Sequence, residues 1–226
     1  MKEKKVFYCE IAYVVGLFVL ALGTAFMERA DFGLSMVVAP AYLLHLKISQ
    51  FLPFFSFGMS SYVFQALLLT ALSLILRRVK KSYFLSFATA FIYGFILDGA
   101  IALVGLLPFE GLVWRIALFC VGLVTCTVGV AFLFHTYFPP EAYDLFVKEI
   151  SQKYGIKIGK VKIIYDYCSC ILSIVLTLVF FGAFMGVKWG TIICALLNGL
   201  LISRIGRILE SKFVFKDAFP LRERIN

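Results

Sequence analysis

Six stretches, residues 11–27, 58–76, 83–107, 113–134, 163–184 and 187–206, stay apolar over about 17 residues or more. That length carries a helix across a hydrocarbon core of roughly 30 Å. The chain is 62% hydrophobic and 15% charged, with a mean hydropathy of +0.96. Soluble domains are only about 45 to 50% apolar, so the runs imply an integral membrane protein. The short alternating strands of a membrane barrel are absent from the pattern. The expected fold is therefore all-α, a polytopic membrane protein with six transmembrane helices in a single membrane domain, 1–226. The first run follows Lys2, Lys4 and Lys5, as a signal peptide would, but its small-residue cleavage pattern is incomplete and more spans follow, so we read it as a retained helix.

Charge sets the direction of these spans. The amino-terminal lysines, the cluster Arg77, Arg78, Lys80 and Lys81, and the set Lys148, Lys153, Lys157, Lys160 and Lys162 fall on one side of a six-span chain, with the basic tail 207–226 (Lys212, Lys216, Arg222, Arg224) and Arg204. The positive-inside rule makes that side cytoplasmic and places both termini there. Glu28, Arg29, Asp31, His45, Lys47, Glu110 and Lys188 then lie outside. The net charge of +9 is absorbed by span ends and anionic headgroups, and implies the lipid bilayer rather than nucleic acid as partner.

Two connections are too apolar for simple loops. "SMVVAPAYLLHLKISQFLPFF", from residue 35, is shorter than a span and reads as a re-entrant or interfacial helix, with Pro40 in its first turn or at a kink. In the second connection Pro139 and Pro140 suit a helix start, and Glu141 and Asp144 favour its positive amino end. Asp144 and Lys148 are spaced as i,i+4 partners, and Gly155 stops the helix. It is expected at the interface or packed under the bundle.

The two halves correspond. "GTAFMERADFGLS" (23–35) lies over "GVAFLFHTYFPPE" (129–141) at an offset of 106. "ISQ" occurs at 48–50 and 150–152, Gly58 meets Gly159, and "LDG" at 97–99 meets "LNG" at 197–199. With the sidedness above, 11–107 and 113–206 form a 3+3 inverted repeat. Secondary transporters are commonly built this way, with the site near the midplane between broken or re-entrant elements.

Asp98, inside the third span, must face the bundle interior or a cavity, since a carboxylate in lipid costs roughly 3 kcal/mol on insertion scales. Its repeat mate is Asn198. Each is followed by a glycine, Gly99 and Gly199, so the four form the candidate ligand-binding set. The alternative is that Asp98 and Asn198 only hydrogen-bond between helices. Asp166 lies near the headgroups, where Lys160 or Lys162 can neutralise it, too far in depth from Asp98 for an aspartyl dyad. His45 and His135 fall on opposite sides and form no metal pair. Cys168 and Cys170 point about 200° apart on a helix and suit neither a metal nor a disulfide. The other cysteines read as small apolar residues. Arg115 is expected to snorkel at the outer end of the fourth span. No nucleophile, P-loop or zinc motif is present, so an enzyme is not expected, nor a cofactor.

"ADFGLSMVVAP" after the first span, "YFPPEAYDLF" after the fourth and "FFGAFMGVKWGT" joining the last two resemble the YczE/YitT-like family of bacterial membrane proteins. Carried over, the motif positions are Ala30, Asp31 and Gly33, then Pro139, Pro140 and Asp144, then Gly182, Gly186, Gly190 and Thr191. This chain departs from the pattern at Pro140-Glu141 and at Lys188-Trp189. The resemblance implies six helices in a bacterial inner membrane and supplies no substrate. The functional expectation is a carrier of a small solute or ion, or its membrane component, with the segment at 27–40 as a gate element. An energy-coupling-factor type substrate-binding subunit is one rival, with Ala21 and Ala25 as docking residues. A protein that docks a cytosolic partner through the 139–153 helix is the other.

Overall fold

The computed structural model describes residues 5–109, 111–156, 158–183 and 188–218. Lys2, Lys4, Glu110, Lys157, Gly186, Arg222 and Arg224 of the sequence reading lie outside these. Among the described residues eight helices run in the order α1 (Cys9–Ala30), α2 (Ala39–Ile48), α3 (Phe57–Leu76), α4 (Lys81–Gly105), α5 (Leu112–Phe134), α6 (Ala142–Tyr154), α7 (Ile158–Phe181) and α8 (Trp189–Lys212). Six are long and apolar enough to cross a membrane: α1, α3, α4, α5, α7 and α8. The protein is a multi-pass, all-helical membrane protein, apart from one short pair of strands.

Local chemistry sets the helix ends. Ser56 caps α3 by accepting the Met59 N–H at 3.0 Å, and Arg77 closes it in the left-handed region. α1 ends on Asp31, also left-handed, whose N–H returns to the Glu28 carbonyl. The helix therefore stops two residues before Gly33, which takes a φ of 100° in the chain that follows. Pro40 sits in the first turn of α2, and Gly155 terminates α6 at φ 63°.

α1 and α5 form the central pair. Gly16 approaches Gly129 and Gly23 approaches Gly122, so the two helices run antiparallel with their backbones in contact. α4 packs on α1 and α3, whereas α8 packs on α5. The apolar core around this pair includes Leu17, Ala21, Met27, Leu118, Leu123 and Leu133.

The two short helices lie inside the bundle. α6 packs on α3, α4 and α7, and α2 on α3 and α7. The Ala142 N–H reaches the Gln65 side chain at 2.9 Å, while Lys153 donates to the Ile75 carbonyl at 2.8 Å. α6 therefore starts beside the ninth residue of α3 and ends beside its last turn. Its buried residues are Ala142, Tyr143, Leu145, Val147 and Glu149.

Two local expectations are corrected. Asp144 pairs with Lys162 of α7 at 3.1 Å, because packing against α7 offers a closer cation than Lys148 on its own helix. Arg115, near the start of α5, donates to the Ala30 carbonyl at 2.8 Å and to Asp31. Strand β1 (Lys5–Tyr8) pairs in parallel with β2 (Phe213–Lys216), so the start of α1 and the end of α8 lie at one end of the bundle. Four-residue strands at span ends carry too little alternation to be read from sequence.

Candidate functional site

Two of the sequence motifs meet at the end of the bundle opposite the strands. Asp31 accepts from Lys188 Nζ at 2.6 Å and from Arg115 Nη2 at 3.1 Å. The Gly190 N–H donates to the Phe32 carbonyl at 2.8 Å. A Cβ on Gly190 would meet that carbonyl oxygen at 2.5 Å and the Phe119 ring at 2.6 Å, so only glycine fits. Thr191 is buried at the head of α8, where its hydroxyl accepts the Lys188 N–H at 3.4 Å. Ala30, Asp31, Gly190 and Thr191 thus clasp the ends of α1, α5 and α8. Gly33 lies beside them, in a cleft it shares with Met27, Glu28, Asp31, Leu34 and Tyr42.

Asp98 is half-buried on α4, level with the first turn of α3. Its Oδ2 accepts from the Ser56 hydroxyl at 2.5 Å and its Oδ1 from the Gly58 N–H at 2.7 Å. A carboxylate there satisfies otherwise orphaned donors at the positive end of α3. Asn198 is not brought to it, since α4 and α8 pack on different partners. The Asn198 Oδ1 is buried and has no hydrogen-bond partner among the described residues. Gly99 and Gly199 have open space where a Cβ would be, so neither mediates close approach; Gly58 and Gly94, which touch each other, do. Asp166 lies 3.8 Å from Lys162. His45 and His135 have separate partners, the Phe55 carbonyl at 2.9 Å and Glu210 at 3.3 Å.

The arrangement with the most chemistry lies at the start of α6. Thr89 and Ser86 of α4 donate to the carbonyls of Pro139 and Pro140 at 3.4 and 2.7 Å, which holds this turn inside the bundle. Glu141 follows, 8% exposed, at the N-cap of α6. Its Oε2 accepts from Gln65 Nε2 at 3.2 Å, while its Oε1 is buried and has no hydrogen-bond partner among the described residues. The Ala142 N–H can only donate, so the Gln65 oxygen must face it and the amide nitrogen must face Glu141. Glu141 lies in the connection outside the six spans, and burial pushes its carboxyl up to about 8. Nearby Asp144 pushes the same way, opposed by the Gln65 hydrogen bond and Lys162. Such a group can hold or release a proton near neutral pH.

From sequence, Glu141 reads only as an acidic residue favouring the positive amino end of a helix. The available signal was Pro-Pro-Glu ahead of a helix too apolar on one face to float free, together with Gln65 in mid-span. Of the features behind the two rival readings, Ala21 and Ala25 are fully buried, while Lys148 and Lys153 are exposed on α6.

The sequence profile of a family of unknown function, DUF6198, matches residues 7–207, and the chain belongs to that family. No curated protein and no solved structure matches it.

Proposed function

We propose that this member of a family without an assigned activity is a carrier of a small solute or ion, or the membrane component of one. It is built as a 3+3 inverted repeat in a bacterial inner membrane, with both termini cytoplasmic. The binding region lies midway between the halves, at the amino end of α6.

One observation carries the repeat: contacts recur in reciprocal pairs about 106 residues apart. Gly16 against Gly129 becomes Gly122 against Gly23 under that shift. The Ser35 carbonyl accepts the N–H groups of Val38 and Ala39, and the Glu141 carbonyl accepts those of Asp144 and Leu145. Lys47 of α2 donates to the Phe180 carbonyl at the end of α7, and Lys153 of α6 donates to the Ile75 carbonyl at the end of α3. A pseudo-two-fold axis through the α1 and α5 crossing generates such pairs, and inverted repeats of this kind support two conformations open to opposite sides. In this register the counterpart of Glu141 is Ser35, and Asn198 is not the counterpart of Asp98. The "ISQ" and "LDG" identities sit at smaller offsets and do not define it.

The carrier reading is supported by a re-entrant helix whose amino end lies in mid-bundle beside a buried carboxyl, since intramembrane ionisable groups mark solute and ion paths. The YczE/YitT-like likeness supports the same architecture through the motifs at 30–40, 137–146 and 180–191. The test is a thermal-shift screen of the purified protein against vitamins, peptides, amino acids and ions, followed by proteoliposome uptake of whatever stabilises it. The reading expects one solute class to raise Tm and to be taken up. Co-purification with a soluble partner and no stabilising solute would replace the carrier by a docking protein.

A further inference from the structure

The titratable groups that act electrostatically with Glu141 come from several helices: Tyr13 of α1, Tyr93 of α4, Cys126 of α5, Tyr143 and Asp144 of α6, and Lys162 of α7. Lys162 is the one cation among these, and it is engaged by Asp144 at 3.1 Å and Asp166 at 3.8 Å. Gln65 supplies a single neutral donor to Oε2, and its other end is fixed by the Ala142 N–H. An ionised carboxylate with one donor and no paired cation is costly in this surrounding, whereas a neutral carboxyl needs no counter-charge. The position left open is Oε1, more than nine-tenths buried and without a hydrogen-bond partner among the described residues.

We propose that Glu141 Oε1 is a proton-binding site at the buried amino end of α6, occupied in the closed form and emptied when the bundle opens. Release breaks the Oε1–H bond and passes the proton to water entering beside α6. The carboxylate left behind keeps the Gln65 hydrogen bond and gains water as donor. Rebinding from the other side restores the neutral carboxyl. The binding of the proton stands on the geometry of Glu141; its coupling to a transported solute rests on the carrier reading above.

Infrared spectroscopy of the purified protein in nanodiscs between pH 6 and 10 tests this. Wild type is expected to show a protonated-carboxyl C=O band that disappears as pH rises and shifts in D2O, and Glu141→Gln to lack it. Asp98→Asn and Asp166→Asn are expected to keep it. Two further variants read the site with Glu141 in place. Asp144→Asn, which removes a like charge and frees Lys162, moves the midpoint down; Lys162→Met moves it up. A band that persists in Glu141→Gln, midpoints that ignore both neighbours, or a midpoint that follows NaCl against choline chloride overturns the assignment. A titrating Glu141 band without uptake of any stabilising solute keeps the proton site and removes the carrier. Uptake that is indifferent to pH, with no such band, keeps the carrier and removes the proton site.

Discussion

Gly23 and Gly122 meet backbone to backbone: a Cβ on either would lie 2.9 Å from the carbonyl oxygen of the other. The central helix pair has no room for a side chain at this point. Gly129 is as tight, with a Cβ meeting the Leu20 amide nitrogen at 2.6 Å. Gly122→Ala or Gly129→Ala is expected to destabilise the protein by about 1–3 kcal/mol, as overpacking does. Gly99→Ala, in open space, is expected to be neutral or to gain up to about 1 kcal/mol from helix propensity. Thermal unfolding of the three variants in one detergent checks the contrast.

The stability of the protein should depend on pH through Glu141. Its carboxyl is raised to about 8 in the fold from the ordinary 4.5 of an unfolded chain. Between those values the folded state holds a proton that the unfolded state has released, so unfolding free energy falls as pH rises. The contribution is fully present below about pH 4.5 and is lost as pH passes 8. Thermal midpoints of wild type are expected to drop between pH 6 and 9, and those of Glu141→Gln to drop less. Equal slopes would contradict the burial argument.

Asp98 is expected to behave as a helix cap. Asp98→Ala leaves the Ser56 hydroxyl and the Gly58 N–H without their acceptor, at a cost of about 1 kcal/mol or somewhat more. Asp98→Asn retains an oxygen for Gly58 and should cost less. Denaturation of both, beside uptake of the solute found by screening, separates a cap from a ligand group: a cap variant that folds should still transport.

The clasp at Asp31 is more exposed, with 58% of its side chain open to solvent, so its ion pairs with Lys188 and Arg115 are screened and worth about 0–1 kcal/mol each. Asp31→Asn should therefore leave Tm nearly unchanged. Its effect should be local, as faster hydrogen exchange at the Gly190 amide that donates to Phe32. A large Tm loss would mean that the clasp holds the whole bundle.

The six spans were legible because lipid demands continuous apolar length, and residues such as Arg77 and Lys80 punctuate the runs sharply. The two short helices were legible from Pro40, Pro139 and Gly155, but their depth was not. Whether α6 floats or dives depends on Gln65 and Ser86 of other helices reaching its first turn, a tertiary fact with no local pattern. For the same reason Asp98 drew attention as the carboxylate inside a span, while Glu141, written in a loop, ends up more deeply buried. The proposed repeat shows in the sequence at the 106-residue offset across the first helix of each half. Beyond it, identities such as "LDG" and "LNG" drew the register away, because recurring small apolar words are common in membrane helices.

The inverted repeat is the claim on which the carrier cycle depends, and its sidedness can be measured directly. Gln50, just beyond α2, and Gln152, near the end of α6, are both exposed. Each is replaced by cysteine in a background lacking the six native cysteines, and intact cells are treated with a membrane-impermeant maleimide. The account predicts that position 50 is labelled in intact cells and position 152 only after the membrane is opened. Labelling of both from the same side would contradict it.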